Sequence, residues 1–299
     1  MLVVNGVIMQ TLGVLFATMA AFLNSTSGII TRQLIALGYY PMAIAIVKCN
    51  IAVLLLSLFL LFKRFRPTYR VSFPYLINSA ICSFFGIFTL FYFETKAYAL
   101  LTAPVVVFIL IGSSAITTFL LGTFFQKERK STKQIIYIST AMIGMTIIVL
   151  NQINFEPRGV IFASVSGVGY GLYLVFARYF RIKSDIFTLW LIIGFGVIFL
   201  YISSPSEVVI LNNLNTSSLI SFVLLALLPT LGGFFCTTKA LRYSDSSEVQ
   251  LIELSEPIFS VILSVLILLE GIQLKDFLGA VLILSSIYLY HRESNKQSI

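Results

Sequence analysis

Gly13-Val14-Leu15-Phe16-Ala17-Thr18 and Gly159-Val160-Ile161-Phe162-Ala163-Ser164 are nearly the same phrase written twice, 146 residues apart. The same offset carries Arg32 onto Arg178. Further along, Lys96-Ala97 returns as Lys239-Ala240 at an offset of 143, and Glu128 and Lys133 return as Glu270 and Lys275 at 142. Three blocks in one order, separated by small insertions and deletions, mark an internal duplication. The halves are residues 1–150 and 151–299 of one membrane domain, and the seam lies in Asn151–Glu156.

Each half is too apolar for water. Of 299 residues, 58% are hydrophobic and 11% charged, with a mean hydropathy of +0.98, whereas a soluble domain carries about 25% charged residues. This excludes a soluble enzyme, a disordered tail and a disulfide scaffold. Apolar windows fall near 9–31, 41–62, 73–96, 101–125, 132–150, 157–180, 184–202, 216–240, 247–269 and 274–291. Runs of this length satisfy their backbone in lipid only as helices. The alternating segments of about ten residues that a β-barrel needs are missing. The expected fold is an all-α integral membrane protein with ten transmembrane helices in two five-helix repeats. Five is odd, so the second repeat inserts upside down. Inverted repeats are a recurring plan of secondary transporters, with the substrate held between the halves near the midplane.

The net charge of +8 does not point to nucleic acid, because the 20 Lys and Arg residues sit in short clusters between apolar runs. With the N-terminus inside, fifteen of the 20 fall on inner connections, including Lys63, Arg64, Arg66 and Arg70. Arg32, Lys96, Arg158 and Lys275 remain outside. This positive-inside bias places both termini in the cytoplasm. Met1–Gln10 lacks the basic start and cleavage site of a signal peptide, so the first apolar run is expected to stay as a span. Cys49, Cys82 and Cys236 lie within apolar runs and read as small hydrophobes.

The few polar groups inside the spans are the candidate site. In the ninth span Gln250, Glu253, Pro257, Ser260 and Ser264 form a stripe at helical spacing, with Glu256 beside it. At 1.5 Å per residue Glu253 lies about 9 Å and Glu256 about 13 Å into a hydrocarbon layer about 30 Å thick. Carboxylates there are expensive and mark a cavity, an ion path or a buried partner. Pro257 marks a helix break that frees the Glu253 carbonyl. Glu253 and Glu256 are candidates for substrate binding and for coupling to a proton or cation, with a structural kink as the other role open to Glu256. Asn24 in the first span and Tyr170 in the sixth occupy equivalent repeat positions, and Tyr173 follows one turn later. The stripe Ala163, Gly167, Gly171 reads as a packing face. Tyr92 and its counterpart Phe235 are candidates for an aromatic wall against a quaternary ammonium group. Lys48, seven residues past Pro41, is expected to snorkel to the outer surface, with an ion pair to Glu94 as the alternative. Glu94 is expected to pair with Lys96 at the interface, and His291 to lie at the surface.

Leu254-Ser255-Glu256-Pro257-Ile258-Phe259-Ser260, then Leu268-Leu269-Glu270 and Gly279-Ala280-Val281-Leu282-Ile283-Leu284, resemble the EamA-type transporters of the drug/metabolite transporter superfamily. Ala115 departs from that pattern by standing where the first repeat would carry a proline. The resemblance implies a ten-span transporter of small metabolites, often amino acids or amines. It implies no ATPase and a cavity lined mainly by spans 1, 3, 4, 6, 8 and 9. With two acids and several aromatic residues, an amino acid, amine or quaternary amine fits better than an anion. The expected function is secondary transport by alternating access, as uniport, exchange or proton coupling, in a multi-pass cell membrane, the bacterial inner membrane by preference. The alternative is a non-transporting receptor or assembly subunit. One terminal histidine and the aspartates Asp185, Asp245 and Asp276 leave no catalytic set, so no enzyme activity, metal or cofactor is expected. The partners expected are a small-molecule substrate and the lipid bilayer, with no nucleic acid; a homodimer is compatible.

Overall fold

The computed structural model describes residues 2–126, 131–149, 156–203, 215–268 and 274–297. Among these, every regular element is a helix. The first half contains α1 (Leu2–Asn24), α2 (Thr26–Ala36), α3 (Pro41–Leu61), α4 (Phe73–Ser83), α5 (Leu90–Leu100), α6 (Ala103–Phe125) and α7 (Thr132–Val149). The second contains α8 (Pro157–Tyr179), α9 (Ile186–Ser203), α10 (Thr216–Leu225), α11 (Phe234–Tyr243), α12 (Ser246–Glu253), α13 (Glu256–Leu268) and α14 (Leu274–Gln297). Among the described residues seven stretches are long and apolar enough to cross a membrane: Thr11–Ala36, Pro41–Leu61, Phe73–Leu100, Ala103–Phe125, Pro157–Tyr179, Ile186–Ser203 and Thr216–Tyr243. The apolar part of α7 is shorter, Thr132–Ile148.

The halves share a feature that sequence periodicity does not reveal. Between α4 and α5, residues Phe84–Thr89 are a π-helix, and between α10 and α11 so are Ala226–Gly233. Widening the turn leaves a carbonyl that a threonine takes in each repeat. Thr89 Oγ1 donates to the Phe84 carbonyl at 2.9 Å, and Thr230 Oγ1 to the Leu225 carbonyl at 2.8 Å, both five residues back. Each π-segment holds extra residues per turn, so a 3.6-residue reading from α4 does not carry into α5.

Two helices are interrupted for one or two residues, at Ser25 and at Leu254–Ser255. Between α1 and α2, Ser25 Oγ donates to the Phe22 carbonyl at 2.6 Å and Thr26 Oγ1 to the Leu23 carbonyl at 2.7 Å. Such side chains compete with the backbone for helical acceptors. Between α12 and α13, Ser255 Oγ bonds the Ile252 carbonyl at 2.7 Å in the same way, and Pro257 sits in the first turn of α13, where its missing N–H costs least. The repeat equivalents are unbroken: α8 runs straight through, and α6 has Ala115 where proline would stand.

Packing surrounds these interruptions. Helix α6 lies along α8, α3 along α9, α1 along α11 and α7 along α14. The expected small-residue face of α8 makes the first of these contacts. A Cβ on Gly167 would lie 2.1 Å from the Leu110 carbonyl oxygen, and one on Gly171 would lie 2.7 Å from that of Ser114. Large apolar side chains such as Leu54, Ile116, Phe124, Ile143 and Ile161 point outward, as a lipid-facing surface requires. Cys49, Cys82 and Cys236 are buried free thiols. Replacing Gly167 by Leu drives a side chain into a backbone carbonyl, and overpacking of this kind costs about 1–3 kcal/mol or more. Gly167→Leu is therefore expected to lower the thermal midpoint of the detergent-purified protein by several degrees; an unchanged midpoint contradicts the α6–α8 contact.

Candidate functional site

The four helix interruptions converge. A small space of about 30 Å³ is lined by Asn24, Ser27, Leu90, Phe91, Glu94, Leu110, Ile111, Tyr170, Pro229, Phe234 and Glu256. Asn24 ends α1, Ser27 opens α2 and Glu256 opens α13, so both broken helices meet there. Pro229 lies within the second π-segment, while Phe91 and Phe234 stand just beyond the two of them. These positions belong to the first, third, fourth, sixth, eighth and ninth apolar windows. The space is about the share of liquid taken by one water, so a metabolite enters only if the helices move.

Each acid has a different setting. Glu253 is fully buried and accepts two hydroxyl hydrogen bonds, from Tyr170 Oη at 2.9 Å and Thr237 Oγ1 at 2.8 Å. Tyr170 and Thr237 are themselves 3.2 Å apart. The three contacts form a ring. With both hydroxyl protons turned to the carboxylate, the Tyr170–Thr237 contact holds none; a protonated Glu253 would donate to one hydroxyl, which would turn to donate to the other, and all three contacts would then hold a proton. Glu94 is buried on α5, where Ser27 Oγ donates to its Oε1 at 3.3 Å and Lys48 Nζ lies 3.6 Å from its Oε2. Glu256 is 6% exposed, and its carboxylate makes no hydrogen bond or ion pair with the described residues. The Phe91 and Phe234 rings meet edge to face at 5.7 Å.

Of the residues singled out in the sequence, Asn24, Tyr170 and Glu256 reach the cavity, and Glu253 touches it through Tyr170. Gly233 makes room for Asn24, since a Cβ there would meet its Oδ1 at 2.1 Å. Tyr173 lies one turn below, bonded to Thr238 at 2.9 Å and packed 5.2 Å from the Phe234 ring. Gln250 faces α6, where its Oε1 accepts from Ser114 Oγ at 2.6 Å, while its buried Nε2 is without a partner among the described residues. Ser260 Oγ is likewise buried and unbonded among them; the side chain of Ser264 is outside the described ones. Tyr92 and Phe235 are not brought together at the cavity. Tyr92 packs on Phe88 and Phe93, and Phe235 lies 5.5 Å from Lys239 Nζ. The aromatic pair at the cavity is instead Phe91 and Phe234, one residue earlier in each repeat.

Three further expectations need correction. Lys48 does not snorkel: it is 0% exposed and turned inward to Glu94. Glu94 consequently pairs with Lys48, while Lys96 donates to Tyr92 Oη at 2.7 Å. His291 is part-buried, with Nδ1 2.8 Å from Glu248 Oε1 on α12. Lys48, Ser27, Phe91, Glu94 and Phe234 thus belong to the centre although only the Glu94–Lys48 pairing was legible, as a minor alternative to snorkelling. Among the described residues no group of three or more His, Cys, Asp or Glu is placed to hold a metal ion.

A wider vestibule of about 730 Å³ lies at the basic end of the chain, lined among others by Gln126, Arg178, Arg181, Lys183, Asp185 and Arg242. Arg178 bonds the Leu241 carbonyl at 2.6 Å and Asp245 at 3.2 Å. Its repeat equivalent Arg32 bonds the Leu101 carbonyl at 2.5 Å. Beside the vestibule, burial pushes the Tyr69 hydroxyl well above its usual pKa, so it remains a donor to Asp185, at 3.0 Å.

An interrupted helical bundle around a buried charged cavity is the architecture of a membrane transporter. The model of the EamA-like transporter family matches residues 11–150 and again 157–291. The chain belongs to that family. A solved crystal structure superimposes with a TM-score of 0.71 over 96% of this chain and 98% of the other, at 16% identity, a likeness that shows the fold alone. No curated protein matches the chain in sequence. If Tyr170 and Glu253 interact as the ring requires, Tyr170→Phe and Glu253→Gln are non-additive. A double-mutant cycle on unfolding should give a coupling of about 0.5–3 kcal/mol; strict additivity would remove the contact.

Proposed function

We propose that the chain is a secondary transporter of a small polar metabolite bearing an ammonium group, an amine, quaternary amine or amino acid, working by alternating access through ten spans in two inverted halves. In this proposal Glu256 and Asn24 meet the substrate, Phe91, Phe234 and Tyr170 wall it, and Glu253 and Glu256 couple its movement to a proton or an exchanged cation. Tyr173 and Gln250 support the wall from below. Tyr92 and Phe235 would enter only in a conformation with α5 and α11 rotated. The membrane is a cell membrane, with both termini in the cytoplasm by the positive-inside bias of the connections.

One observation carries the proposal: among the described residues the backbone is interrupted in four places, and each interruption contains or directly adjoins residues that line a cavity holding a carboxylate without a counter-ion among them. Non-helical backbone at membrane depth is tolerated where it lines a site. A carboxylate beside aromatic faces suits an ammonium group. A cavity with room for about one water, beside a wide vestibule, fits a state in which the site is contracted and one approach is formed. Arg32 and Arg178, repeat-related and each bonded to a carbonyl at the end of a neighbouring helix, supply a latch for each approach. The Glu253 ring, complete only when a proton is added, supports proton coupling there.

Proteoliposomes provide the test. A monoamine should exchange across the membrane, an imposed pH gradient should accelerate its net movement severalfold, and Glu253→Gln should abolish that response while exchange persists. Indifference to the gradient together with full activity of Glu253→Gln removes the proton role. Thermal stabilisation by dicarboxylates but not by amines overturns the cation assignment.

A further inference from the structure

Lys48 is out of place on any account that uses only the lining of the cavity. It is on α3, which contributes no residue to that lining, and it is fully buried. Its ammonium lies 3.6 Å from Glu94 Oε2 and 3.6 Å from the centre of the Phe91 ring. Glu94 and Phe91 present their other sides to the cavity. Neither Lys48 Nζ nor Glu94 Oε2 has a hydrogen-bond partner among the described residues. A lysine placed to brace the fold would be expected to spend its three donors on carbonyls or hydroxyls, because buried unbonded donors are costly. This one offers charge and little else.

We propose that Lys48 is a specificity-determining residue: by cancelling the charge of Glu94 from behind, it leaves one uncompensated carboxylate, Glu256, in the cavity lining, Glu253 lying outside that lining in its ring with Tyr170 and Thr237, and restricts the cargo to molecules of a single positive charge. The inference rests on the cation reading of the site and narrows it to amines without a carboxylate. In a low-dielectric site an unmatched charge is strongly disfavoured. A monoamine neutralises Glu256. A diamine brings one charge too many, since Glu94 already has its partner. A zwitterionic amino acid brings a carboxylate that finds no free ammonium, because Lys48 stands behind Phe91 and Glu94 rather than at the cavity surface. Removing Lys48 exposes two uncompensated carboxylates and turns the site toward dications.

Three aromatic probes of similar size separate these cases: benzylamine, p-xylylenediamine and phenylglycine, with charges of one, two and zero. Their half-saturating concentrations for thermal stabilisation are measured on the full-length detergent-purified chain. Wild type should favour benzylamine over the other two by about tenfold, the effect of about 1.4 kcal/mol. Lys48→Met should shift the benzylamine-to-diamine ratio tenfold or more toward the diamine. Glu94→Gln, which leaves Lys48 uncompensated, should weaken benzylamine tenfold, and the double variant Lys48→Met with Glu94→Gln should restore wild-type preference. If Lys48→Met does not fold, that rescue alone decides: a double variant no better than Glu94→Gln overturns the proposal. A folded Lys48→Met with the wild-type ratio also overturns it, while leaving the cation reading intact. Stabilisation of wild type by none of the three probes overturns both.

Discussion

A backbone amide or carbonyl in lipid must find its partner within the protein. Everything at the centre of this molecule follows from the four places where the helix does not supply that partner. At α1–α2 and α12–α13 serine and threonine hydroxyls take the carbonyls, at 2.6 to 2.7 Å. At the two π-segments a threonine does so from five residues ahead. Such exposed turns survive only when other helices shield them, and the close α6–α8 contact, with no Cβ at Gly167 or Gly171, supplies part of that shield. Interruptions that must be shielded are driven to one place, and that place becomes a cavity.

Charge obeys the same rule of internal satisfaction. Three carboxylates and one ammonium are held at the centre, each with a different solution: Glu253 takes hydroxyl donors, Glu94 takes Lys48, and Glu256 takes neither. The absence of both counter-ion and hydrogen-bond donor for one acid, Glu256, beside these helix interruptions links the fold to the proposed chemistry. The cavity, at about 30 Å³, is nevertheless too small for any metabolite, so function requires the helices around it to separate.

Much of this architecture is legible in the chain. The Gly13–Thr18 and Gly159–Ser164 phrases reveal the duplication, and Glu256-Pro257 marks a helix interruption. Asn24 and Tyr170, paired by the repeat offset, both reach the cavity. Other features are not legible, for physical reasons. A π-turn has no fixed signature, so the aromatic pair at the cavity falls on Phe91 and Phe234 rather than Tyr92 and Phe235. Ser25 and Thr26 break a helix through side-chain bonds that apolar windows do not register. Lys48 lies near enough to a span end for snorkelling, and only the position of Glu94 across the α3–α5 contact decides that it turns inward.

Access to Asn24 tests most directly whether this cavity is a site reached alternately from the two sides. A single cysteine at Asn24, in a chain with Cys49, Cys82 and Cys236 replaced, would be exposed in sealed proteoliposomes to a membrane-impermeant maleimide from each side in turn. The structure predicts slow labelling from both sides, slowed further by benzylamine. Labelling from neither side, or from one side only and unaffected by the amine, would contradict it.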